Sequence, residues 1–180
     1  MELSGNTLPP LLLHVCCAPC AAGCVERLLD AGRKVTLFYS NSNIGTAEEF
    51  ERRLDSVRAL ARIFELELIV DPYDHAAWLR SVAGLEAEPE RGGRCPVCFG
   101  FSLGRTAELA LLRKMAFTTT LTVSPHKSSR VIFEVGGRYS NFEPHDFKKK
   151  DGFKRSRELA REYGFYLQRF CGCEFSECGV

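Results

Sequence analysis

The chain is expected to fold as an α/β domain: a parallel sheet with helices on both faces, followed by a helical C-terminal elaboration. Two observations point there. Short apolar runs at 11–15, 34–40 and 66–70 read as strands, and the segments between them show helical spacing of apolar residues. A strand–helix–strand–helix–strand order implies right-handed crossovers and parallel pairing. With 180 residues, 45% of them hydrophobic, the chain can build one domain, 1–180, in which 146–180 is a basic, cysteine-containing segment.

The first strand is entered through Pro9 and Pro10. Pro19 then stands where a first helical turn begins, where its missing N–H leaves nothing unpaired. Val25, Leu28 and Leu29 give that helix one apolar face, and Gly32 closes it. The second strand ends at the turn-forming Asn41-Ser42-Asn43. Thr46 and Glu49 make a capping box ahead of Phe50, Leu54, Val57, Leu60 and Phe64, which recur at helical spacing. Beyond the third strand, Asp74 reads as a cap for a turn to Trp78, and 84–94 as a loop. A helix is expected after Cys98 as far as Lys114, then a threonine-rich fourth strand over 117–123. A turn at Ser124-Pro125, one further helix and a C-terminal helix over 156–163 complete the expectation. Ligands of parallel sheets collect beyond the carboxyl ends of the strands. Cys16-Cys17 after the first strand and Asp71 to Asp74 after the third therefore fall on the functional edge.

A formal net charge of +1 means that any nucleic-acid surface must come from local clustering of charge. Residues 1–10 are polar, and Leu11-Leu12-Leu13 is broken at once by His14, so the segment reads as neither a signal peptide nor a membrane span. The expected location is the reducing cytoplasm. There thiols are more often metal ligands or redox pairs than structural disulfides. Seven of the nine cysteines form three clusters: Cys16-Cys17-Ala18-Pro19-Cys20, Cys95-Pro96-Val97-Cys98 and Cys171-Gly172-Cys173.

Cys95-x-x-Cys98 alone admits a zinc half-site, a thioredoxin-like dithiol or two ligands of an iron–sulfur cluster. A redox dithiol of that kind follows the first strand of a βαβ unit, whereas this pair follows a glycine- and arginine-rich loop. A structural zinc does not need three separate pairs. A 4Fe–4S cluster at the sheet edge, on Cys16, Cys17, Cys95 and Cys98, uses the inventory best. On a regular strand Cys16 and Cys17 would point to opposite faces, but where strand breaks into helix both sulfurs can converge. Cys24 reads as a small buried residue, while Cys20, in the first helical turn, is open between packing and ligation. Cys171 and Cys173 are either a strained, easily reduced disulfide or two more metal ligands. Cys178 reads as an incidental terminal thiol.

Lys148, Lys149, Lys150, Lys154, Arg155 and Arg157 interleave with Phe147, Phe153 and Tyr163. This suits phosphate contacts with base stacking, against the plainer reading of a solvated face. Arg52, Arg53, Arg58 and Arg62 can add to this field. Asp71 is a candidate acid or ligand, His126 with Lys127 a candidate proton donor or anion site, and His14 a hydrogen-bonded core histidine.

Several stretches together resemble the QueH family of epoxyqueuosine reductases: LLHVCCAPC at 12–20, RCPVC at 94–98, FTTTL at 117–121 with SPHK at 124–127, DFKKKDG at 146–152, and FCGCEFS at 170–176. The resemblance implies a HUP or PP-loop-like Rossmannoid fold, and reductive deoxygenation of epoxyqueuosine in the anticodon loop of tRNA. It further suggests an iron ion adjacent to the 4Fe–4S cluster expected from the residues; Cys171, Cys173, Asp71 and His126 stand, on the reading of the residues, as the catalytic candidates, and an external electron donor is expected. Cys16 to Cys20 occupy the position of a phosphate-binding loop, so no ATP use is expected. The alternative is a zinc-stabilised tRNA-binding or tRNA-thiolating protein without redox turnover.

Overall fold

Alternation along the first strand sends Leu11 and Leu13 to one face of the sheet and Leu12 to the other, and all three are fully buried. A strand buried on both faces belongs in the middle of a parallel sheet. In a computed structural model that describes residues 8–176, four strands pair in the order β3-β2-β1-β4, all parallel: β1 (Leu11–His14), β2 (Val35–Tyr39), β3 (Leu68–Val70) and β4 (Ala116–Thr119). Cys178 lies outside the described residues.

The described residues include six α-helices: α1 (Ala18–Asp30), α2 (Ala47–Ile63), α3 (His75–Ser81), α4 (Arg94–Leu112), α5 (Ser129–Gly136) and α6 (Gly152–Glu162). One core gathers Leu11, Leu13, Leu37 and Tyr39 with α1, α2 and α6. The other gathers Leu12, Phe38 and Phe117 with α4 and α5. The α4 helix is long and apolar enough to cross a membrane by length and composition, but Phe99, Leu103, Ala107 and Ala110 pack it on the sheet. Caps act where expected: the Thr46 hydroxyl accepts from Glu49 N (3.2 Å) and Asp74 from Ala77 N (2.9 Å).

Three boundaries differ from the sequence expectation. The α4 helix starts at Arg94, so Cys95 and Cys98 stand inside its first turns rather than before them; Pro96 is tolerated there because the first helical N–H groups have no intrahelical partner. The fourth strand stops at Thr119, whose hydroxyl accepts from Leu121 N (3.1 Å) and turns Thr120–Val123 into a 3₁₀ helix. The last helix starts at Gly152, four residues earlier than the periodicity suggests.

Candidate metal centre and substrate cavity

β1 feeds β2 on one side, while β4 lies on its other side, so the chain changes direction between β1 and β4. A crevice at that switch point is where such sheets bind ligands. The Cys16 amide donates to the Thr120 hydroxyl across it (3.1 Å), and that hydroxyl donates to Cys16 Sγ (3.3 Å). Beneath them, His14 Nε2 donates to Ser40 O (3.1 Å), which leaves Nδ1 to accept from the Thr119 hydroxyl (2.9 Å). Burial lowers the His14 pKa and keeps the ring neutral in this role.

Cys17 is the N-cap of α1, with Pro19 in its first turn and Cys20 one position further. This brings the sulfurs of Cys16, Cys17 and Cys20 within 4.8 Å of one another, with Cys16 and Cys17 3.8 Å apart. Hydrogen bonds from Cys17 and then Cys20 hold the Cys16 thiol well below its usual range, with the Lys127 charge and the Thr120 hydroxyl adding to the effect. The Cys17 pKa is pushed up to about 12, chiefly by the bond to Cys16, and Cys20 is raised for the same first reason. Three thiols at a helix N-terminus, one of them held low by the other two, form a donor group that could hold a metal ion. Cys24, one turn on, is fully buried and donates to Cys20 O (3.2 Å).

A cavity of about 370 Å³ opens on this triad, and Cys16, Cys20, Cys98 and Cys171 all line it. Beside it a smaller cavity of about 100 Å³ is lined by Cys95, Cys98, Cys171 and Cys173. The second thiol group is thus assembled from the start of α4 and the C-terminal segment, and Cys98 lines the larger cavity with Cys16 and Cys20 as well. Arg91 N donates to Cys95 Sγ (3.2 Å), and burial raises both the Cys95 and Cys98 thiols. Lys127 lines both cavities. Burial alone would lower its pKa, but the sulfurs of Cys171, Cys16, Cys20 and Cys17 raise it above the usual value.

After α6 the chain runs back along α2 as a strap without helix or strand as far as Cys173. Tyr166 N donates to Ser56 Oγ (3.1 Å), Tyr166 OH to Glu49 (3.2 Å), and Gln168 Nε2 to Cys17 Sγ (2.8 Å). Arg53 of α2 donates to the carbonyls of Cys171 (2.9 Å) and Phe170 (3.3 Å). The strap thereby delivers Cys171 to the cavity wall. All eight cysteines among the described residues are free thiols, Cys171 and Cys173 included.

A family model described as epoxyqueuosine reductase QueH matches residues 11–178. A curated Streptococcus pyogenes protein named epoxyqueuosine reductase QueH is 37% identical over 180 residues, covering 93% of this chain and 70% of its own length. Proteins of the same name from Thermotoga maritima (32% identical, 92% of this chain, 89% of theirs) and Dehalococcoides mccartyi (31%, 94% and 93%) match almost end to end. The chain belongs to the epoxyqueuosine reductase QueH family.

In this QueH-family chain the remaining candidate residues divide between the cavity and the scaffold. His126 lines both cavities, and its Nδ1 accepts from Arg91 Nη2 (3.1 Å). Asp71 is instead held by both nitrogens of the Arg105 fork and by the Ser40 hydroxyl (2.7 Å), and neither cavity is lined by it. Lys148 donates Nζ to the carbonyls of Ser124 (3.1 Å) and Lys127, and Arg155 pairs both nitrogens with Glu26 (2.8 and 2.6 Å). Lys149, Lys150 and Lys154 are exposed, whereas Arg157 lines the larger cavity with Phe153 and Arg169. Sequence reasoning does not single out Gln168 or Thr120, and it places Arg53 in a surface field although its side chain is buried. A signal for Arg53 is present: it lies one residue from Leu54, on the apolar side of a helix whose polar face is otherwise solvated.

Proposed function

We propose that this chain reduces epoxyqueuosine in tRNA to queuosine, through metal centres held by its seven clustered thiols. The reaction breaks both C–O bonds of the epoxide, forms a C=C bond, and consumes two electrons and two protons to release water. The observation that carries the reading is the convergence of two thiol groups on adjoining cavities at the switch point of the sheet.

Three thiols gathered at one helix start, with further thiols lining the same cavity, are the soft donors that a 4Fe–4S cluster takes. Its ligands are Cys16, Cys17 and Cys20, with Cys98, which lines the same cavity as Cys16 and Cys20, as the fourth. Cys95, Cys171 and Cys173 remain for an adjacent iron ion or for a dithiol that gives up two electrons and two protons as it closes to a disulfide. When bound, such centres supply single-electron transfer and a Lewis acid for the epoxide oxygen. The protein's own groups do the rest. Lys127 holds a proton at Nζ beside the cavity, and the His126 ring lines the same cavity. Phe153 and Arg157 at the cavity suit a base and its phosphate. An external donor supplies the electrons. Thiols stand where a phosphate-binding loop would follow the first strand, so the reading includes no ATP.

The test is anaerobic reconstitution with iron and sulfide, followed by turnover of epoxyqueuosine-containing tRNA with a strong reductant. The expected product is a nucleoside lighter by one oxygen atom, from a brown protein. A colourless protein with stoichiometric zinc and no nucleoside conversion would overturn the proposal in favour of a non-redox tRNA binder.

A further inference from the structure

Arg53 is a buried cation beneath the strap. Its side chain is 3% exposed, and a buried charge must be paired. Nε donates to Glu49 Oε1 (2.7 Å), Nη1 to Cys171 O (2.9 Å) and Nη2 to Phe170 O (3.3 Å). The guanidinium also lies over the Phe170 ring, 5.2 Å from its centroid. Gly172, which follows Cys171, has φ +128°, and a Cβ there would lie 3.1 Å from Arg53 Nη1 and 3.2 Å from Ile44. Gly172 O in turn accepts from Gly45 N (2.9 Å). The turn is thus clamped on both sides. It sends Cys171 to the wall between both cavities and packs Cys173, 8% exposed and lining the smaller cavity alone, against Trp78 and Val82.

We infer that Arg53 is a positioning residue for the reduction: its fork fixes the backbone of Cys171-Gly172-Cys173 so that Cys171 reaches the larger cavity while Cys173 is held, nearly buried, at the smaller one. A planar fork can hold two carbonyls and a carboxylate at once, which a lysine ammonium on a flexible stem does not reproduce. The effect on turnover rests on the reductase reading; the effect on thiol protection does not.

The test uses the metal-free, reduced protein for alkylation and the reconstituted protein for turnover, each with its Arg53→Lys and Gly172→Ala variants. Alkylation of Cys173 by iodoacetamide is followed by peptide mass, with Cys24 as the buried reference. Removing two charge-assisted hydrogen bonds is expected to raise the Cys173 rate about tenfold or more, with Cys24 unchanged. In turnover, kcat falls while KM for tRNA holds. Unaltered Cys173 protection in a variant with wild-type circular dichroism would overturn the inference, as would a raised KM at constant kcat, which marks Arg53 as a phosphate contact. If Arg53→Lys exposes Cys24 as well, the variant has unfolded globally and Gly172→Ala decides, because it disturbs the same turn from the strap side. Failure of the wild type to convert the nucleoside would sink the reductase reading and leave the alkylation result standing.

Discussion

Cys20 and Cys24 are one turn apart on α1, yet their surroundings give them different work. Cys20 meets Cys16 and Cys17 at the helix start, where the amide dipoles favour negative sulfur. Cys24 is sealed in the core, and burial above all raises its pKa, so it stays a thiol bonded to Cys20 O. Cys20→Ser is therefore expected to lower bound iron after reconstitution as severely as Cys16→Ser. Cys24→Ser, whose hydroxyl can make the same bond to Cys20 O, should keep its iron at a stability cost of no more than about 2 kcal/mol. Iron analysis of the three variants checks this, and full iron in Cys20→Ser would remove Cys20 from the ligand set.

Between elements, the closest approach that matters for the cavity is α1 against α6. A Cβ on Gly23 would lie 2.5 Å from Ser156 Oγ and 3.2 Å from Ser156 N, so only glycine lets the helices meet here. Ser156 Oγ is itself buried without a partner among the described residues. Gly23→Ala is expected to destabilise the protein by about 1–3 kcal/mol through overpacking, despite the better helix propensity of alanine. Adding Ser156→Ala should recover part of that stability, because it removes the nearest colliding atom. Thermal melts of the two single variants and the double variant make the cycle; strictly additive effects would show that the close approach is not the cause. Since α6 brings Phe153 and Arg157 to the cavity, the Gly23→Ala variant should also bind tRNA more weakly.

At the scale of the whole molecule, a net charge of +1 hides an uneven use of the basic segment. Lys148 fastens the loop after Ser124, and Arg155 fastens α6 to α1 through Glu26. Lys149, Lys150 and Lys154 face solvent. Replacing these three by alanine should weaken tRNA binding and flatten its salt dependence by about 0.7–0.9 log–log units for each phosphate the variant no longer neutralises. The visible absorption of the reconstituted protein should not change. Lys148→Ala should instead lower stability and leave the salt slope nearly intact. Stem-loop binding at several salt concentrations separates the two; an unchanged slope in the triple variant would make that surface a solvated face.

How much can be read in advance follows the range of the forces involved. The apolar run from Leu11, the Thr46 cap and the spacing of Phe50 to Leu60 are local signals, satisfied within a few residues; they mark the strands and helices, whose alternating order implies the parallel sheet. Cys16 and Cys17 at a strand end are legible as a site for the same reason. Which thiols meet was decided by tertiary structure. Cys20 joins Cys16 and Cys17 through the sharp strand-to-helix turn, while Cys95, Cys98, Cys171 and Cys173 line one smaller cavity beside it. The fates of Asp71, Lys148 and Arg155 were likewise decided at long range, by Arg105, by two carbonyls of the Ser124–Lys127 turn, and by Glu26. A charged side chain in a sequence shows its chemistry but not its partner. Burial makes the partner obligatory, and only the closed chain brings it within reach.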